Sequence, residues 1–282
     1  MTNNEQERVA SLTNVLSLCD SDTGNRIRAA LQIGLVAQAF YDVDAPLPTA
    51  LLTCWRNLLD DSNSDVRNGA IQSLSLCNPP ECRAFVGAVS AIMDDQLTSG
   101  CNPWDAATIL CQHGHEKGLR YFAQKLQATE VTVRENAILE ILNIRDDSAL
   151  CLVKTELVTA LQDPAPIVRV GVAEGLWRLG HALDRLLPVL VSVLSHSANS
   201  AVQLAAGLVL CKMGPSAKSA LPGLLALEES DSAPLRCLAV RAVTRLEAPA
   251  DVTISLLRRC ANDESASVSA LAEFELRKRK ER

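Results

Sequence analysis

The sequence has few aromatic residues. Phenylalanine, tyrosine and tryptophan make up only 3% of its 282 residues, although hydrophobic residues as a whole make up 48%. Sheet sandwiches rely on aromatic and β-branched residues, whereas a core dominated by alanine and leucine suits tightly packed helices. A chain of this length and apolar content is also long enough to bury a substantial core. The composition therefore predicts an all-α fold.

Long apolar runs are missing as well. No stretch approaches the 18 or so uncharged apolar residues that a membrane-spanning helix needs. Residues 1–18 carry Glu5, Glu7 and Arg8 and lack the basic start and unbroken apolar run of a secretory signal. We therefore expect a cytoplasmic protein that has no membrane partner.

The chain lacks the positive charge of a nucleic-acid-binding protein. Its net charge is −6, even though residues 277–282 contain five basic residues and one acidic residue. An acidic body repels phosphate backbones, so we expect no nucleic-acid partner. The basic residues at the end are explained by the dipole of a terminal helix, which favours cations in its last turn.

Motifs for catalysis or cofactor binding are also missing. The sequence has neither a Gly-x-Gly-x-x-Gly fingerprint nor a Walker loop, and no Ser, His and Asp set stands out. The best metal candidate, Cys111-Gln112-His113-Gly114-His115-Glu116, lacks the second ligand pair that zinc sites usually have. We expect no catalytic residue, no metal and no cofactor.

The ten cysteines do not resemble a disulfide framework. Six of them fall within helical patterns, where a free cysteine behaves as a small apolar residue. We therefore expect free thiols and a reducing compartment. These six are Cys54, Cys111, Cys151, Cys211, Cys237 and Cys260.

What the sequence does contain is a repeated phrase. Leu176-Trp177-Arg178-Leu179-Gly180 returns as Leu210-Cys211-Lys212-Met213-Gly214, and more loosely at 110–114. Self-similarity at a period of roughly 35 residues indicates stacked helical pairs, each of which buries its apolar face only against its neighbours.

A second repeated feature is an apolar residue followed by arginine near the start of each second helix. It occurs as Ile27-Arg28, Val66-Arg67, Val133-Arg134, Val168-Arg169 and Leu235-Arg236. Val202-Gln203 and Val268-Ser269 keep the pattern without the arginine, and Asn102-Pro103 is the divergent counterpart in the third unit. The pattern predicts one array, 1–282, of about eight units: 1–40, 41–78, 79–114, 115–146, 147–180, 181–214, 215–247 and 248–282.

The most regular stretch, Ala165 to Leu246, carries Leu-Gly-x-x-Ala-x-x-x-Leu-Pro-x-Leu followed by a turn and a Val-Arg-type anchor. This unit resembles HEAT repeats, particularly the bacterial bilin-lyase-like, or phycobilisome-lyase, type. The resemblance implies a right-handed α-solenoid whose second helices line a concave surface. It also implies that the anchor arginines form a structural ladder between adjacent turns: Arg28, Arg67, Arg134, Arg169 and Arg236.

The candidate binding surface lies on the second helices, opposite the apolar stripe Val168, Val172, Leu176 and Leu179. Trp177 beside Arg178 has the composition of an interface anchor, although Trp177 could equally pack between repeats. With equivalent positions of other units, the predicted surface comprises Gln72, Glu135, Asn143, Glu174, Trp177, Arg178, Arg241 and Arg245. We expect a non-catalytic scaffold or adaptor that binds another protein or an extended peptide there.

Two other functions remain open. The resemblance to phycobilisome-lyase repeats implies a bilin lyase-like activity or a subunit that assists one, and a regulatory module on a larger complex differs from a scaffold only in its partner. His115-Glu116 is similar to the pairs that hold the di-iron centre of deoxyhypusine hydroxylase, a HEAT-like enzyme. That enzyme needs several such pairs and this chain has one, so we do not expect the activity.

Overall fold

The fold is given by a computed structural model that describes residues 3–19, 21–43, 45–77, 80–99, 103–144 and 146–280. Within these residues every regular element is a helix and no strand occurs. The predicted all-α fold is therefore confirmed. In the same residues, no helix combines the length and apolarity needed to cross a bilayer.

The α-helices alternate as first and second members of hairpins. They are α1 (Asn3–Cys19), α2 (Thr23–Tyr41), α3 (Thr49–Leu59), α4 (Ser64–Cys77), α5 (Val86–Ser99), α6 (Trp104–Gln112), α7 (Glu116–Lys125), α8 (Val131–Leu142), α9 (Lys154–Ala160), α10 (Pro166–Arg178), α11 (Leu183–His196), α12 (Ser200–Met213), α13 (Leu221–Leu225), α14 (Ala233–Arg245), α15 (Ala250–Cys260) and α16 (Ala266–Lys280). Short 3₁₀ segments occupy Pro80–Phe85, Asp147–Val153, Gly214–Ala220 and Ala226–Glu229.

The helices form two compact units. The first comprises Met1–Phe122 with Asn143–Leu152, and the second comprises Ala123–Leu142 with Val153–Arg282. In the first unit α4 packs against both α2 and α6. In the second, α8, α10, α12, α14 and α16 pack in succession, each against the next. Stacking of second helix on second helix is the packing of an α-solenoid, whereas the right-handed sense and the number of repeats stay predictions.

The predicted apolar stripe of α10 lies in the core. Val168, Val172 and Leu176 are fully buried. Burial of each such side chain contributes roughly 1.5–3 kcal/mol. Because α10 contacts α8, α9, α11 and α12, its stripe stabilises the packing between hairpins as well as within its own.

Glycines allow close helix approach at several of these contacts. A Cβ atom on Gly118, in the first turn of α7, would lie 2.5 Å from the backbone nitrogen of Cys111 and 2.6 Å from the carbonyl oxygen of Ala107. Those atoms belong to α6 and are backbone, so they cannot move aside as a flexible side chain would. Gly87, in the first turn of α5, has no atom within 4 Å of the same position.

Gly118→Ala is therefore expected to destabilise the protein by about 1–3 kcal/mol through overpacking. Gly87→Ala is the matched control, and it should stabilise by about 0.4–1 kcal/mol because it restricts the unfolded chain without a clash. Urea unfolding followed by circular dichroism measures both changes. Equal midpoints for the two variants would contradict the close approach.

Arg134 and Arg236, at the start of α8 and α14, each bind both the preceding turn and the next hairpin. Arg134 Nη1 donates to the carbonyl oxygens of the residues six and five positions before it, both at 2.9 Å. Its Nε and Nη2 donate to the two carboxylate oxygens of Asp163, at 2.7 and 3.0 Å. Arg236 makes the same bidentate contact with Asp263, at 2.8 Å for both bonds. Such charge-assisted pairs are among the stronger hydrogen bonds in proteins.

In the turn before α10, one aspartate, Asp163, takes part in two successive contacts of the ladder. While Asp163 accepts Arg134 from α8, its Oδ1 also accepts the backbone N–H of Ala165, at 2.7 Å. Its carbonyl oxygen accepts Arg169 Nη1, again at 2.7 Å. One residue therefore joins the second helix of one hairpin to that of the next.

The ladder prediction was wrong for Arg28, which is exposed and, among the described residues, donates its side chain only to that of Asn25. Arg26 takes the position instead, with its Nε 2.6 Å from Asp61 and its Nη1 2.9 Å from the carbonyl oxygen of Ser21. Two residues differ by about 200° around a helix, so only one of the two arginines can face the turn. Arg67 binds the carbonyl oxygen of Asp61 and pairs with Asp95.

The expectation of free cysteines was wrong for one pair. Cys19, at the end of α1, and Cys54, in α3, are joined by a disulfide with their Cα atoms 6.3 Å apart. The two residues meet because α1 and α3 pack together, a contact that helical periodicity alone does not show. Free thiols are found at Cys111, Cys151, Cys211, Cys237 and Cys260.

The ladder makes the free energy of unfolding depend on pH, because its aspartates must be ionised to pair with arginine. Hydrogen bonds from Arg26 and Arg236 stabilise the charged carboxylates of Asp61 and Asp263 and hold the pKa of each below its usual 3.8. A depressed pKa contributes stability that is present above the unfolded value and is lost as the pH falls through the folded value.

Asp263→Asn should accordingly lower the melting temperature by a few degrees at pH 6. The difference from wild type should shrink as the pH falls below 3.8. Asp231→Asn, at an exposed position on a nearby turn, controls for the loss of one negative charge. A deficit for Asp263→Asn that stays constant down to about pH 2 would contradict the role of the ion pair.

Candidate functional site

A groove of about 720 Å³ lies across the second helices of the second unit. Each of α8, α10, α12, α14 and α16 contributes side chains to it. Its apolar lining includes Ile138, Leu139, Leu142, Ile167, Val170, Ala205, Leu208, Val209 and Leu271. Its charged lining is Glu135, Glu174, Lys212, Arg241, Arg245 and Glu275.

Helical spacing explains how one helix supplies both the core and the groove. α10 presents Ile167, Val170, Gly171 and Glu174 to the groove. These positions follow the i, i+3, i+4, i+7 pattern of one helix face. The buried stripe that begins at Val168 occupies another face, so the residues that line the groove are held in place by core packing.

The groove floor remains open to solvent. Leu139 of α8 is 57% exposed, and Ile167, Leu208 and Leu271 are half-buried. These leucine and isoleucine side chains come from α8, α10, α12 and α16, whereas α14 contributes Arg241, Thr244 and Arg245. Exposed apolar surface that extends over three successive second helices, α8, α10 and α12, is typical of interaction sites on soluble proteins.

The charged residues of the groove differ in whether they have an ion-pair partner. Lys212 of α12 pairs with Glu174 of α10, with Nζ 2.5 Å from Oε1. Arg241 and Arg245, one turn apart on α14, are both exposed. Within the part of the chain that the structure describes, neither of these arginines forms an ion pair or a side-chain hydrogen bond. The groove lining therefore holds one neutralised pair, two further cations, Arg241 and Arg245, and two further carboxylates, Glu135 and Glu275.

The structure brings together four of the residues proposed for the binding surface: Glu135, Glu174, Arg241 and Arg245 all line the groove. Gln72 lies exposed on α4, and Asn143 is exposed just after α8. Both belong to the first unit and are not among the residues that line this groove.

Trp177 and Arg178 occupy the last turn of α10. Arg178 is half-buried, and its Nη1 donates to the carbonyl oxygen of Leu142, at 2.6 Å. It thereby ties the end of α10 to the end of α8. Trp177 is half-buried and is not among the described residues that line the groove. Its role as a binding anchor stays a prediction, and the structure does not place it on the groove.

The apolar floor was missed from the sequence. Leu139, Leu208 and Leu271 each lie on a second helix, outside the buried stripe. Leucine at a position that the helical period turns toward solvent was the available signal. It was overlooked because the predicted surface was built from polar and aromatic residues.

Residues of the metal candidate, Cys111 to Glu116, have structural roles at the end of α6 and the start of α7. Cys111 is fully buried, and His115 Nδ1 accepts the backbone N–H of Lys117 at 3.3 Å. Gly114 adopts a φ of +70°, which suits a glycine that ends a helix. Across the described ranges, no group of three His, Cys, Asp or Glu side chains is placed to hold a metal ion.

Cys211 is the one thiol among the described residues that line the groove. Burial raises the pKa of its thiol to about 11, against the partial opposing effect of Arg245 and Arg241. The reactive species of a cysteine is the thiolate. At pH 8 a thiol with this pKa is ionised to roughly one part in a thousand. Cys211 therefore has the properties of a packing residue.

Comparison with known proteins yields likeness to solved structures alone. No protein-family profile matches the chain, and no curated protein matches it. An engineered protein of known crystal structure shares 22% identity over 83% of this chain and 96% of its own, with a TM-score of 0.41. Human deoxyhypusine hydroxylase, solved in complex with glycerol, shares 16% identity over 99% of this chain and 98% of its own, with a TM-score of 0.37. Both structures are of low identity and low TM-score, and the all-α fold is defined by the helices of this chain itself.

Thiol labelling tests the description of Cys211. With iodoacetamide at pH 8, the exposed Cys151 should be alkylated first, whereas Cys211 should react about 100-fold more slowly or only after unfolding. Mass spectrometry of the digested protein gives the rate at each position. Labelling of Cys211 as fast as Cys151 would show an ionised thiol in the groove and would reopen a catalytic interpretation.

Proposed function

We propose that the chain is a non-catalytic binding module whose groove holds a segment of another protein. The observation that carries the proposal is the solvent-open apolar floor from α8 to α16, with Leu139 57% exposed at one end. A protein segment would bury this floor, and burial of apolar area is the main favourable contribution to such association. Flanking charges would set the register of the segment.

The packing of the second helices supports this function. Because α8, α10, α12, α14 and α16 are stacked on one another, their lining side chains are positioned before any partner binds. Preorganisation of this kind lowers the ordering penalty of association. The ladder contributes to it, since Arg134 and Arg236 join successive hairpins of the same unit.

The finer identity of the repeats belongs to the same proposal. We take the hairpins to be HEAT repeats of the phycobilisome-lyase type, on the strength of the sequence motif between Ala165 and Leu246. We also propose a cytoplasmic location. The free thiols of Cys111, Cys151, Cys211, Cys237 and Cys260 favour it, whereas the Cys19–Cys54 disulfide does not.

A bilin lyase-like activity is the second candidate. It is favoured by the groove volume, which lies in the range of small-molecule pockets. The two candidates differ in a simple measurement, because a bound bilin absorbs visible light. If protein incubated with biliverdin and then gel-filtered retains no visible absorbance, the lyase-like candidate is excluded.

The binding function is tested with a pair of leucine variants. Leu139→Glu places a charge on the groove floor, whereas Leu35→Glu makes the same change at a position on α2 that is 73% exposed and lies outside the groove. Peptides selected from a random 12-residue display library on the wild-type protein should bind Leu35→Glu unchanged. They should bind Leu139→Glu at least about tenfold more weakly.

Fluorescence anisotropy with each labelled peptide gives the dissociation constants, and circular dichroism melts verify that both variants fold. Selected peptides that bind Leu139→Glu as tightly as wild type would place the binding surface elsewhere. Failure to enrich any peptide would contradict the binding function itself.

A further inference from the structure

The α14 and α16 end of the groove is basic. A second cavity of about 570 Å³ adjoins the groove there and shares Thr244, Arg245 and Glu275 with it. Lys278 and Arg279 complete its charged lining, beside Ile254. With Arg241, this end of the groove carries four cations against the one carboxylate of Glu275. We call this set, Arg241, Arg245, Lys278 and Arg279, the basic end.

The cations of the basic end have no ion-pair partner among the described residues. All four are exposed, and none forms an ion pair within residues 146–280 or elsewhere in the described ranges. Lys212, in the same groove, differs because Glu174 neutralises it. The chain as a whole is acidic, with a net charge of −6, so the basic end is a local feature that selects for a negatively charged ligand.

Arg241 lines two cavities that share Leu208. The main groove also supplies Leu271. The second cavity, of about 290 Å³, is also lined by Leu204, Leu238 and Pro234. A ligand that paired with Arg241 would therefore place apolar groups beside its anion, as a peptide does and a free inorganic anion does not.

The spacing of the two α14 arginines also matches a peptide. Arg241 and Arg245 are four residues apart, so their Cβ atoms lie about 5–6 Å apart on one helix face. Carboxylates on alternate residues of an extended chain are about 7 Å apart, and those four apart on a helix are about as far apart as the two arginines. Arginine also binds carboxylates bidentately, which adds directional specificity.

We infer that the groove takes an acidic protein segment, whose carboxylates pair with Arg241 and Arg245 and whose apolar side chains lie on the floor formed by residues such as Leu139 and Leu208. This inference rests on the proposed function and specifies the chemistry of the partner. Charge complementarity at the basic end and the apolar floor beside it together define the occupant.

The probes are three fluorescein-labelled 12-residue peptides. The first contains four leucines, four glutamates and four serines; in the second each glutamate is replaced by lysine, and in the third each leucine is replaced by serine. The wild-type protein should bind the first peptide at least about tenfold more tightly than either of the others. Its affinity should fall with added salt, because the pairing is electrostatic and exposed.

Arg241→Glu with Arg245→Glu should weaken binding of the glutamate peptide at least about tenfold and should improve binding of the lysine peptide. The matched control is Arg185→Glu with Arg258→Glu, which changes the net charge equally at exposed positions of the same unit that do not line the groove. The control should stay within about twofold of wild type. Circular dichroism melts verify that both double variants fold.

The outcomes separate this inference from the proposed function. Equal binding of the glutamate and lysine peptides, with both lost in Leu139→Glu, would overturn the acidic partner and leave the binding groove intact. Equal weakening by both double variants would reduce the effect to net charge and would also overturn it. Binding of biliverdin that needs Arg241 and Arg245, with no binding of any peptide, would overturn both in favour of a small dicarboxylate.

A second copy of the chain is a further occupant that the same experiment detects. Light scattering with size-exclusion chromatography would show a dimer that Leu139→Glu dissociates and Leu35→Glu does not. That result would assign the groove to self-association and would overturn the peptide proposal.

Discussion

The structure depends, within each compact unit, on the packing of second helices against the second helices of neighbouring hairpins. A single hairpin of this chain has no face that it can bury alone, so stability comes from the contacts between neighbours. The stripe of Val168, Val172 and Leu176 on α10 is buried because α8 and α12 lie on either side. Close approach at Gly118 adds a contact between a second helix and the first helix of the next hairpin, since a side chain there would separate α7 from α6.

The arginine ladder fixes the relative position of helices that apolar packing holds together. Hydrophobic contact alone allows helices to slide, whereas a bidentate pair such as Arg134 with Asp163 fixes one turn against the next. The ladder is interrupted where its residues change. Gln203 replaces the arginine in α12, and its Nε2 donates to the carbonyl oxygen of Leu194. Polar contact with the preceding turn is thereby kept without a charge.

The groove is a consequence of the same stack. A helix that buries one stripe still has a face left over, and successive hairpins place those faces side by side. In the second unit the leftover faces carry Leu139, Leu208 and Leu271 as well as charged residues. The core thus positions the groove, and the groove residues are free to set what it binds. Arg241 and Arg245 give this groove its charge preference because nothing in the described chain neutralises them.

The sequence by itself determined the helical class, the hairpin repeat and the buried stripe of α10, because these follow from local periodicity and turn residues that any window of the chain displays. Helical register also places Glu174 outside that stripe and Arg241 and Arg245 outside the buried face of α14, and their part in binding is a proposal. Tertiary structure decided the rest. Arg26 rather than Arg28 faces Asp61, Cys19 meets Cys54, and Trp177 lies off the groove. Each of these outcomes depends on the rotation of a helix or on a contact between residues distant in sequence, which local pattern does not encode.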